Sequence, residues 1–282
     1  MNDSGRCPLC GSAGREEHLS GPGFVLYRCA ACGMVYQDAL YSAGGTYEEG
    51  YFQAGYMAAE NEERLGKNAR EILEALARHV DKGRLLDIGA GPGYYVKAAA
   101  GRGWDAHGVE VSRYAAKHAR EALGLDVFCG TLEEAQYPDG WFDAAMMVHV
   151  VEHLPDPVGT MKELNRVMRK GGALHLSTPN ITSRNARRDG ASWWALKPGE
   201  HLLFFSPDTI KRLLSMTGFE VVEFDTSATV ISTESLRGAG LPAGEGLRTF
   251  VNSYLKGPKE FVRRAAGRLI QGESINLIAV KK

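Results

Sequence analysis

A short apolar segment that runs directly into a glycine-rich turn limits the folds open to this chain. Residues 85–93 read Leu-Leu-Asp-Ile-Gly-Ala-Gly-Pro-Gly, and the pattern predicts a helix directly after them. Glycines at 89, 91 and 93 let the backbone turn sharply and approach a ligand with no Cβ in the way. The free N–H groups of the following helix point into the same space. The segment therefore predicts a strand, a ligand-binding loop and a helix.

Strands and helices alternate from residue 84 onward. The patterns predict strands at 84–88, 105–110, 126–129, 142–148, 173–178, 219–225 and 275–280, and helices near 93–102, 112–123, 158–169 and 207–217. Such alternation is typical of an α/β fold, a mostly parallel sheet with helices on both faces. Ligands bind these sheets at the carboxyl ends of the strands. We expect the segments that follow the strands, 87–93, 110, 130–133 and 149–153, to converge there.

Four of the five cysteines lie near the amino terminus, as Cys7-x-x-Cys10 and Cys29-x-x-Cys32. Two such pairs at this spacing are typical of a four-thiolate zinc site. All four donors would come from the chain, so no coordination position stays open and the zinc is predicted to be structural. A disulfide or redox role is the alternative, and it fits less well in a reducing compartment.

The net charge, the length of the apolar stretches and the first residues argue against some classes of protein. A formal net charge of −1 over 282 residues gives no general attraction to nucleic acid or to an anionic membrane. The longest apolar stretches, near 144–151 and 219–222, are too short to cross a bilayer. The first residues show no charged-then-apolar signal segment. We therefore expect a cytoplasmic protein without a membrane partner, whose oligomeric state the sequence does not reveal.

Three parts of the chain differ in composition. Residues 1–40 are predicted to form a zinc ribbon, with short strands at 24–27 and 34–36, and residues 41–80 a connector and a helix from about 58. Residues 81–282 hold the alternating pattern, with an insertion at about 232–270. The second half of this insertion is rich in basic side chains, including Arg263 and Arg264.

The glycine turn departs from the pattern of dinucleotide-binding loops. Those loops favour Gly-x-Gly-x-x-Gly, whereas here the third glycine comes one place early, at Gly93, and Tyr94 takes the sixth position. Asp87 also stands just before the turn, where its charge would face a pyrophosphate. A carboxylate at this position suits a cationic ligand better.

At these residues the chain resembles the class I S-adenosylmethionine-dependent methyltransferases. Their first motif, D/E-x-G-x-G-x-G after an apolar strand, matches Asp87, Gly89, Gly91 and Gly93. The resemblance covers about 84–225, and the strand at 275–280 completes the sheet. It implies a Rossmann-like sheet of seven strands with the last one antiparallel, and S-adenosylmethionine as the cofactor.

The resemblance also assigns cofactor-binding residues. The loop, including Ala90, would pack against the amino acid part of the cofactor, which Asp87 would help to hold. Glu110, followed by Val111, ends the second strand, where the family has an acid that binds both ribose hydroxyls. A carboxylate that accepts from two hydroxyl donors is a strong bidentate arrangement.

Two later segments complete the implied site. Thr131 and Leu132 would border the adenine. Residues 142–157 resemble the strand-four signature of small-molecule methyltransferases, in which a Glu-His pair follows the strand. The backbone around 148–150 would line the methionine end, with His149 as a pocket wall and a role as general base as its alternative.

Histidines are the candidates for a general base. Alignment of donor and acceptor supplies much of the catalysis of methyl transfer, and a hydroxyl or acidic carbon acceptor also benefits from a base near neutral pH. His153, beside the expected methyl group, and His201, on the acceptor side, are the predicted catalytic residues. Structural packing of the Glu-His pair is the alternative.

The prediction is therefore S-adenosylmethionine-dependent methyl transfer to a small molecule, such as a sugar or other secondary metabolite. One alternative is an RNA methyltransferase that uses the ribbon and the basic insertion. Others are a non-catalytic binding module and a nicotinamide-dependent enzyme. Residues 1–60 carry seven acidic and three basic side chains, a net charge of −4, which argues against a nucleic acid partner because phosphate-binding modules are basic.

Overall fold

The structure is a computed structural model that describes residues 5–37, 59–227 and 272–282. The amino-terminal part contains three strands, β1 (Arg15–Gly21), β2 (Phe24–Cys29) and β3 (Val35–Gln37). The first helix, α1 (Ala59–Leu76), leads into the alternating part of the chain. The predicted connector before this helix and the predicted insertion at 232–270 lie outside the described residues.

The alternating part contains eight more strands and six more helices within the described residues. In chain order they are β4 (Arg84–Ile88), α2 (Tyr94–Ala100), β5 (Asp105–Glu110), α3 (Arg113–Glu121), β6 (Asp126–Cys129), α4 (Leu132–Ala135), β7 (Phe142–Val148), α5 (Pro157–Val167), β8 (Met168–Pro179), α6 (Arg184–Asp189), β9 (Leu203–Phe204), α7 (Pro207–Met216), β10 (Phe219–Ser227) and β11 (Ser274–Lys281). Short 3₁₀ turns occur at Val151–His153 and Gly190–Ser192.

Seven strands form the main sheet, in the order β10-β11-β8-β7-β4-β5-β6. The pairs among β4, β5, β6, β7 and β8 are parallel. The last strand, β11, runs antiparallel to both of its neighbours, β8 and β10. This arrangement confirms the predicted Rossmann-like sheet with an antiparallel final strand.

The register of the central strands brings the predicted site segments to one edge. Ile88 pairs with Val109 on one side and with Met147 on the other. Glu110 pairs with Cys129 at the end of the next strand. Because these strands are parallel, the segments that follow them start side by side, as the alternation predicted.

Both faces of the sheet are covered by apolar side chains. Leu86, Met147 and Leu176 are buried in one cluster with α5 and α7. On the other face, Leu85 and Met146 belong to a cluster that includes the apolar side of α1. Within the described ranges, every helix is too short or too polar to cross a lipid bilayer.

A second, smaller sheet joins the amino-terminal strands to the rest of the chain. Its order is β1-β2-β3-β9, and β9 comes from the alternating part, between β8 and α7. Val35 pairs with Phe204, and Tyr36 with Leu203, in antiparallel register. The cysteine-bearing segment is therefore attached to the main domain by backbone hydrogen bonds as well as by packing.

Candidate functional site

The glycine turn forms a tight loop between β4 and α2. Gly89 has a φ of 71°, and a Cβ placed there would lie 2.5 Å from Val150 Cγ2. Gly93 has a φ of 92°, and a Cβ there would lie 2.7 Å from Leu125 Cδ1. Both positions therefore need glycine for the backbone conformation and for close packing. The contact with Val150 also places the loop against the segment that follows β7.

Glu110 joins the end of β5 to the glycine loop. Its side chain is only 6% exposed. Oε2 accepts a hydrogen bond from the Gly91 N–H at 2.7 Å, and Oε1 accepts one from the Ser112 N–H at 2.7 Å. Each carboxylate oxygen has a second lone pair, so the group is fixed in place and retains acceptor capacity for two hydroxyl donors. The predicted contact with the ribose hydroxyls would use these two lone pairs.

Asp87 is a buried carboxylate beneath the same loop. Its side chain is 1% exposed, and its Oδ2 has no hydrogen-bond partner among the described residues. Burial, together with the nearby charge of Glu110, raises the pKa of Asp87 well above its usual range. A charge in such a position is costly unless a cation comes close. The ammonium and sulfonium of S-adenosylmethionine are cations of the required kind, so the residues present fit this cofactor.

The other predicted cofactor residues lie around these two acids. Ala90 is buried in the loop, and its backbone N–H donates to the Val109 carbonyl at 3.0 Å. Val111 is 51% exposed directly after Glu110. Thr131 caps α4 in a capping box, and Leu132 is buried behind it. The structure therefore brings every predicted cofactor position to the same sheet edge.

Histidines surround a third buried carboxylate at the end of β7. Glu152 is 1% exposed, and its Oε1 lies 3.2 Å from His149 Nδ1. Its Oε2 accepts a hydrogen bond from Thr178 Oγ1 at 3.0 Å. Burial alone would raise the pKa of Glu152, but the hydrogen bond to His149 and the charges of nearby histidines lower it to about 2. The carboxylate is thus ionised at neutral pH.

The two predicted catalytic histidines pack against each other beside Glu152. The His153 and His201 rings meet edge to face, with centroids 4.6 Å apart. His153 Nδ1 lies 2.9 Å from the Glu200 carbonyl oxygen. His201 is buried, and burial lowers its pKa to about 4 although the Glu152 charge acts in the opposite direction. His201 is therefore neutral at pH 7 and a weak base.

The four amino-terminal cysteines come together as predicted. Cys7 Sγ lies 3.5 Å from Cys32 Sγ, and Cys10 Sγ lies 3.6 Å from Cys29 Sγ. In a tetrahedral zinc site with Zn–S bonds of about 2.3 Å, the sulfurs are roughly 3.8 Å apart, so the donor set fits zinc. All four are free cysteines, and together they form a candidate metal site.

The two cysteine pairs sit on matching turns. The Gly11 N–H donates to the Cys7 carbonyl at 2.8 Å, and the Gly33 N–H donates to the Cys29 carbonyl at 2.9 Å. Backbone hydrogen bonds also reach the sulfurs of Cys7 and Cys29 from the residues that follow them. Such turns present two sulfurs each toward one centre.

Some residues of the site had not been predicted from the sequence. Thr178, near the carboxyl end of β8, carried no signal for its bond to Glu152. The indole N–H groups of Trp193 and Trp194 both donate to Glu273 Oε2, at 3.1 and 2.7 Å. They attach the loop before β9 to the residue before β11, although Glu273 lies 79 and 80 positions from the two tryptophans. The sequence shows the neighbouring tryptophans as aromatic side chains suited to cover an acceptor pocket or to form a small core of their own loop, but no local pattern pointed to Glu273.

A glycine loop between two buried acids, on a sheet of this strand order, defines the class I S-adenosylmethionine-dependent methyltransferases, and the chain is one of them. A family model described as a methyltransferase domain matches residues 60–224. This range is more than half of the chain, so the chain belongs to that family.

Relatives and solved structures agree with this assignment. An Alkalilimnicola ehrlichii protein named ubiquinone biosynthesis O-methyltransferase is 32% identical over 44% of this chain and 50% of its own length. A probable S-adenosylmethionine-dependent methyltransferase of Mycolicibacterium smegmatis is 30% identical over 57% of this chain and 61% of its own length. The chain thus spans only about half of these relatives. A methyltransferase structure from Archaeoglobus fulgidus matches with a TM-score of 0.55, covering 78% of this chain and 94% of that one at 21% identity, which shows the shared fold.

Proposed function

We propose that this methyltransferase transfers the methyl group of S-adenosylmethionine to an oxygen of a small molecule, such as a sugar or another secondary metabolite, and that a structural zinc holds its amino-terminal ribbon. The observation that carries the choice of acceptor is the buried, ionised carboxylate of Glu152 after β7, where the methyl-bearing end of the cofactor is expected. Negative charge at this end opposes a polyanionic backbone and accepts neutral or cationic ligands.

The same charge argument weighs against RNA as the substrate. An RNA-binding ribbon would need a basic face, whereas residues 1–60 carry a net charge of −4. The basic insertion that favoured RNA lies outside the described residues. The relatives named as O-methyltransferases favour an oxygen acceptor.

The structural role of zinc is supported by the placement of the ribbon. Its third strand pairs with β9 of the main domain, and its four cysteines supply a complete tetrahedral set. Such a set leaves no coordination position for a substrate. Reduced thiolates also suit a cytoplasmic location, which we propose together with the zinc.

Labelled cofactor tests the acceptor class directly. The protein is incubated with methyl-labelled S-adenosylmethionine and, in separate reactions, with a pool of small metabolites and with total RNA. We expect label in small organic products, whose mass spectra show an added methyl group on oxygen. Label in RNA alone would contradict the proposal.

A binding measurement comes first and separates the classes of cofactor. Calorimetry is run with S-adenosylhomocysteine and with NAD(P). Binding of S-adenosylhomocysteine and not of the nicotinamide cofactors is the expected result. The opposite result would overturn the proposed reaction before any acceptor is sought.

A further inference from the structure

We propose that His149 is the general base of the reaction, that Glu152 is its positioning residue, and that the acceptor is therefore a group that must lose a proton. This inference rests on the proposed function, methyl transfer to a small molecule. It differs from the assignment of His149 as a passive pocket wall, and it is carried by the hydrogen bonds, backbone conformation and exposure of this residue.

The backbone places His149 at the cofactor loop and holds it there. It follows β7 directly, and the next residue, Val150, packs against Gly89. Its φ of 54° lies in the left-handed region, which only few residues other than glycine adopt. The His149 N–H donates to the Ser177 carbonyl at 3.0 Å. A conformation of this cost persists when its surroundings impose it, and such residues cluster at functional sites.

The side chain of His149 forms a dyad with Glu152. The 3.2 Å contact from His149 Nδ1 to Oε1 and the Thr178 hydroxyl on Oε2 occupy both carboxylate oxygens. An ionised Glu152 accepts a hydrogen bond from the Nδ1–H of His149, which places the basic lone pair of a neutral imidazole on Nε2. The same division of roles between a buried carboxylate and a histidine orients the base in hydrolases.

Exposure distinguishes His149 from the other two histidines. Its side chain is 42% exposed. Since Nδ1 faces the buried carboxylate, the exposed edge is the one that carries Nε2. His201 is only 4% exposed, and His153 directs its Nδ1 to the Glu200 carbonyl. Of the three, His149 combines an oriented ring with an accessible nitrogen at the loop.

The reaction transfers one proton and one methyl group. The acceptor O–H gives its proton to Nε2 of His149 while the oxygen lone pair forms the new bond to carbon. The cofactor, when bound, supplies the methyl group from its sulfonium, and the electron pair of the broken S–C bond stays on sulfur. The imidazolium that results is stabilised by Glu152 and afterwards releases its proton to solvent.

Nitrogen NMR of histidine-labelled protein tests the dyad without an acceptor. In the complex with S-adenosylhomocysteine at pH 8, we expect His149 as the neutral tautomer with hydrogen on Nδ1, and Glu152→Gln to shift that signal. Among the titratable groups nearby, Glu152 and His175 interact with His149, and His153 and His201 interact with Glu152. A His149 ring that stays charged from pH 6 to 9, or carries its hydrogen on Nε2 when neutral, would overturn the proposal.

Kinetics with the acceptor found by the labelling experiment test the catalytic role. His149→Gly fits the left-handed backbone, and we expect kcat to fall by about 10²- to 10⁴-fold, with S-adenosylhomocysteine affinity unchanged within about twofold. Added imidazole should restore part of the activity, which a purely structural role would not allow. His18→Gly, at an exposed histidine of the ribbon, is the matched control.

The two proposals fail in different ways. Loss of S-adenosylhomocysteine binding or of all acceptor labelling in the unaltered protein counts against the proposed function. A His149→Gly variant that binds the cofactor product and keeps its kcat counts against the base alone.

Discussion

Three buried carboxylates meet at the site, and their surroundings differ residue by residue. Glu110 accepts two backbone N–H groups. Glu152 is bound by a histidine and a threonine. Asp87 has an oxygen with no partner among the described residues. The first two have hydrogen-bond partners on both carboxylate oxygens, whereas a charge on Asp87 would be stabilised by a cationic ligand.

Asp87→Asn should therefore improve stability and damage binding in the same variant. A carboxyl whose folded pKa is raised contributes stability at low pH, and this is lost as pH rises above the usual value of 3.8. At pH 7 we expect the cofactor-free variant to be more stable by about 1–3 kcal/mol, the cost of an unsatisfied buried group. Its affinity for S-adenosylhomocysteine should fall at least tenfold.

Denaturant titration and calorimetry measure the two effects. Asp81→Asn, at an exposed position shortly before β4, is the control, and should change neither quantity. A loss of stability in the ligand-free Asp87→Asn variant would contradict the prediction, because it would mean that the folded protein stabilises the Asp87 carboxylate.

Glu110→Ala should weaken cofactor binding by roughly 1.5–3 kcal/mol, the range for lost hydrogen bonds to a charged group, or about 10- to 150-fold in Kd. Calorimetry with S-adenosylhomocysteine gives the value. Glu121→Ala, at the exposed end of α3, is the matched control. Because Glu110 also holds Gly91 and Ser112, the isosteric Glu110→Gln should show a smaller loss. An unchanged Kd in both variants would remove Glu110 from the site.

At the scale of elements, the main sheet was predictable and the small one only in part. The strands β4 to β7 begin and end where the apolar patterns predicted, because each is bounded by a change of period or by glycine. Strand β1 was not predicted, since most of its side chains are exposed and polar. Strand β9 has only two residues and exists through its pairing with β3, which no local pattern encodes.

The residues of the site divide in the same way, into those that a local pattern predicts and those that depend on tertiary contacts. Asp87, Glu110 and the four cysteines belong to local spacings, so the sequence alone pointed to them. His149 and Glu152 also lie close together in sequence, three positions apart. Their pairing as a dyad depends on the burial of Glu152 and on its hydrogen bond from Thr178, which belongs to β8. Only the packed structure distinguishes an orienting carboxylate from a solvated one.

Zinc removal tests how β9, the strand that no local pattern predicted, depends on the ribbon. Metal binding in such ribbons supplies folding free energy, so chelation should expose backbone amides at 5–37 to hydrogen exchange. Because β3 pairs with β9, we also expect faster exchange at Leu203 and Phe204, with β4 and the affinity for S-adenosylhomocysteine nearly unchanged.

Exchange mass spectrometry before and after chelation gives the comparison, with metal analysis of the untreated protein. Cys7→Ser should reproduce the effect, and Cys129→Ser, outside the cluster, should not. A protein purified without chelator that contains no zinc would refute the ribbon site.

At the scale of the whole molecule, pH acts on stability through two kinds of buried group. Protonation of one kind stabilises the fold, and protonation of the other kind destabilises it. Protonation of Asp87 stabilises the fold as pH falls. Glu152, with a folded pKa of about 2, loses its contribution only as pH falls below its usual value of 4.5. The buried histidines act between pH 6.5 and about 4. Burial lowers the pKa of both His175 and His201 to about 4 from the usual 6.5.

His175→Gln should isolate one of these contributions. A histidine kept neutral in the fold adds stability that is complete above pH 6.5 and is lost as pH falls toward about 4, since the unfolded chain binds the proton first. At about 1.4 kcal/mol per unit, we expect the loss of unfolding free energy between pH 7 and pH 4 to be smaller by up to roughly 3 kcal/mol in the variant. Urea titrations at both pH values measure it, with His118→Gln on α3 as control. An identical loss in the variant and the unaltered protein would mean that the folded pKa of His175 is not lowered, and would contradict the prediction.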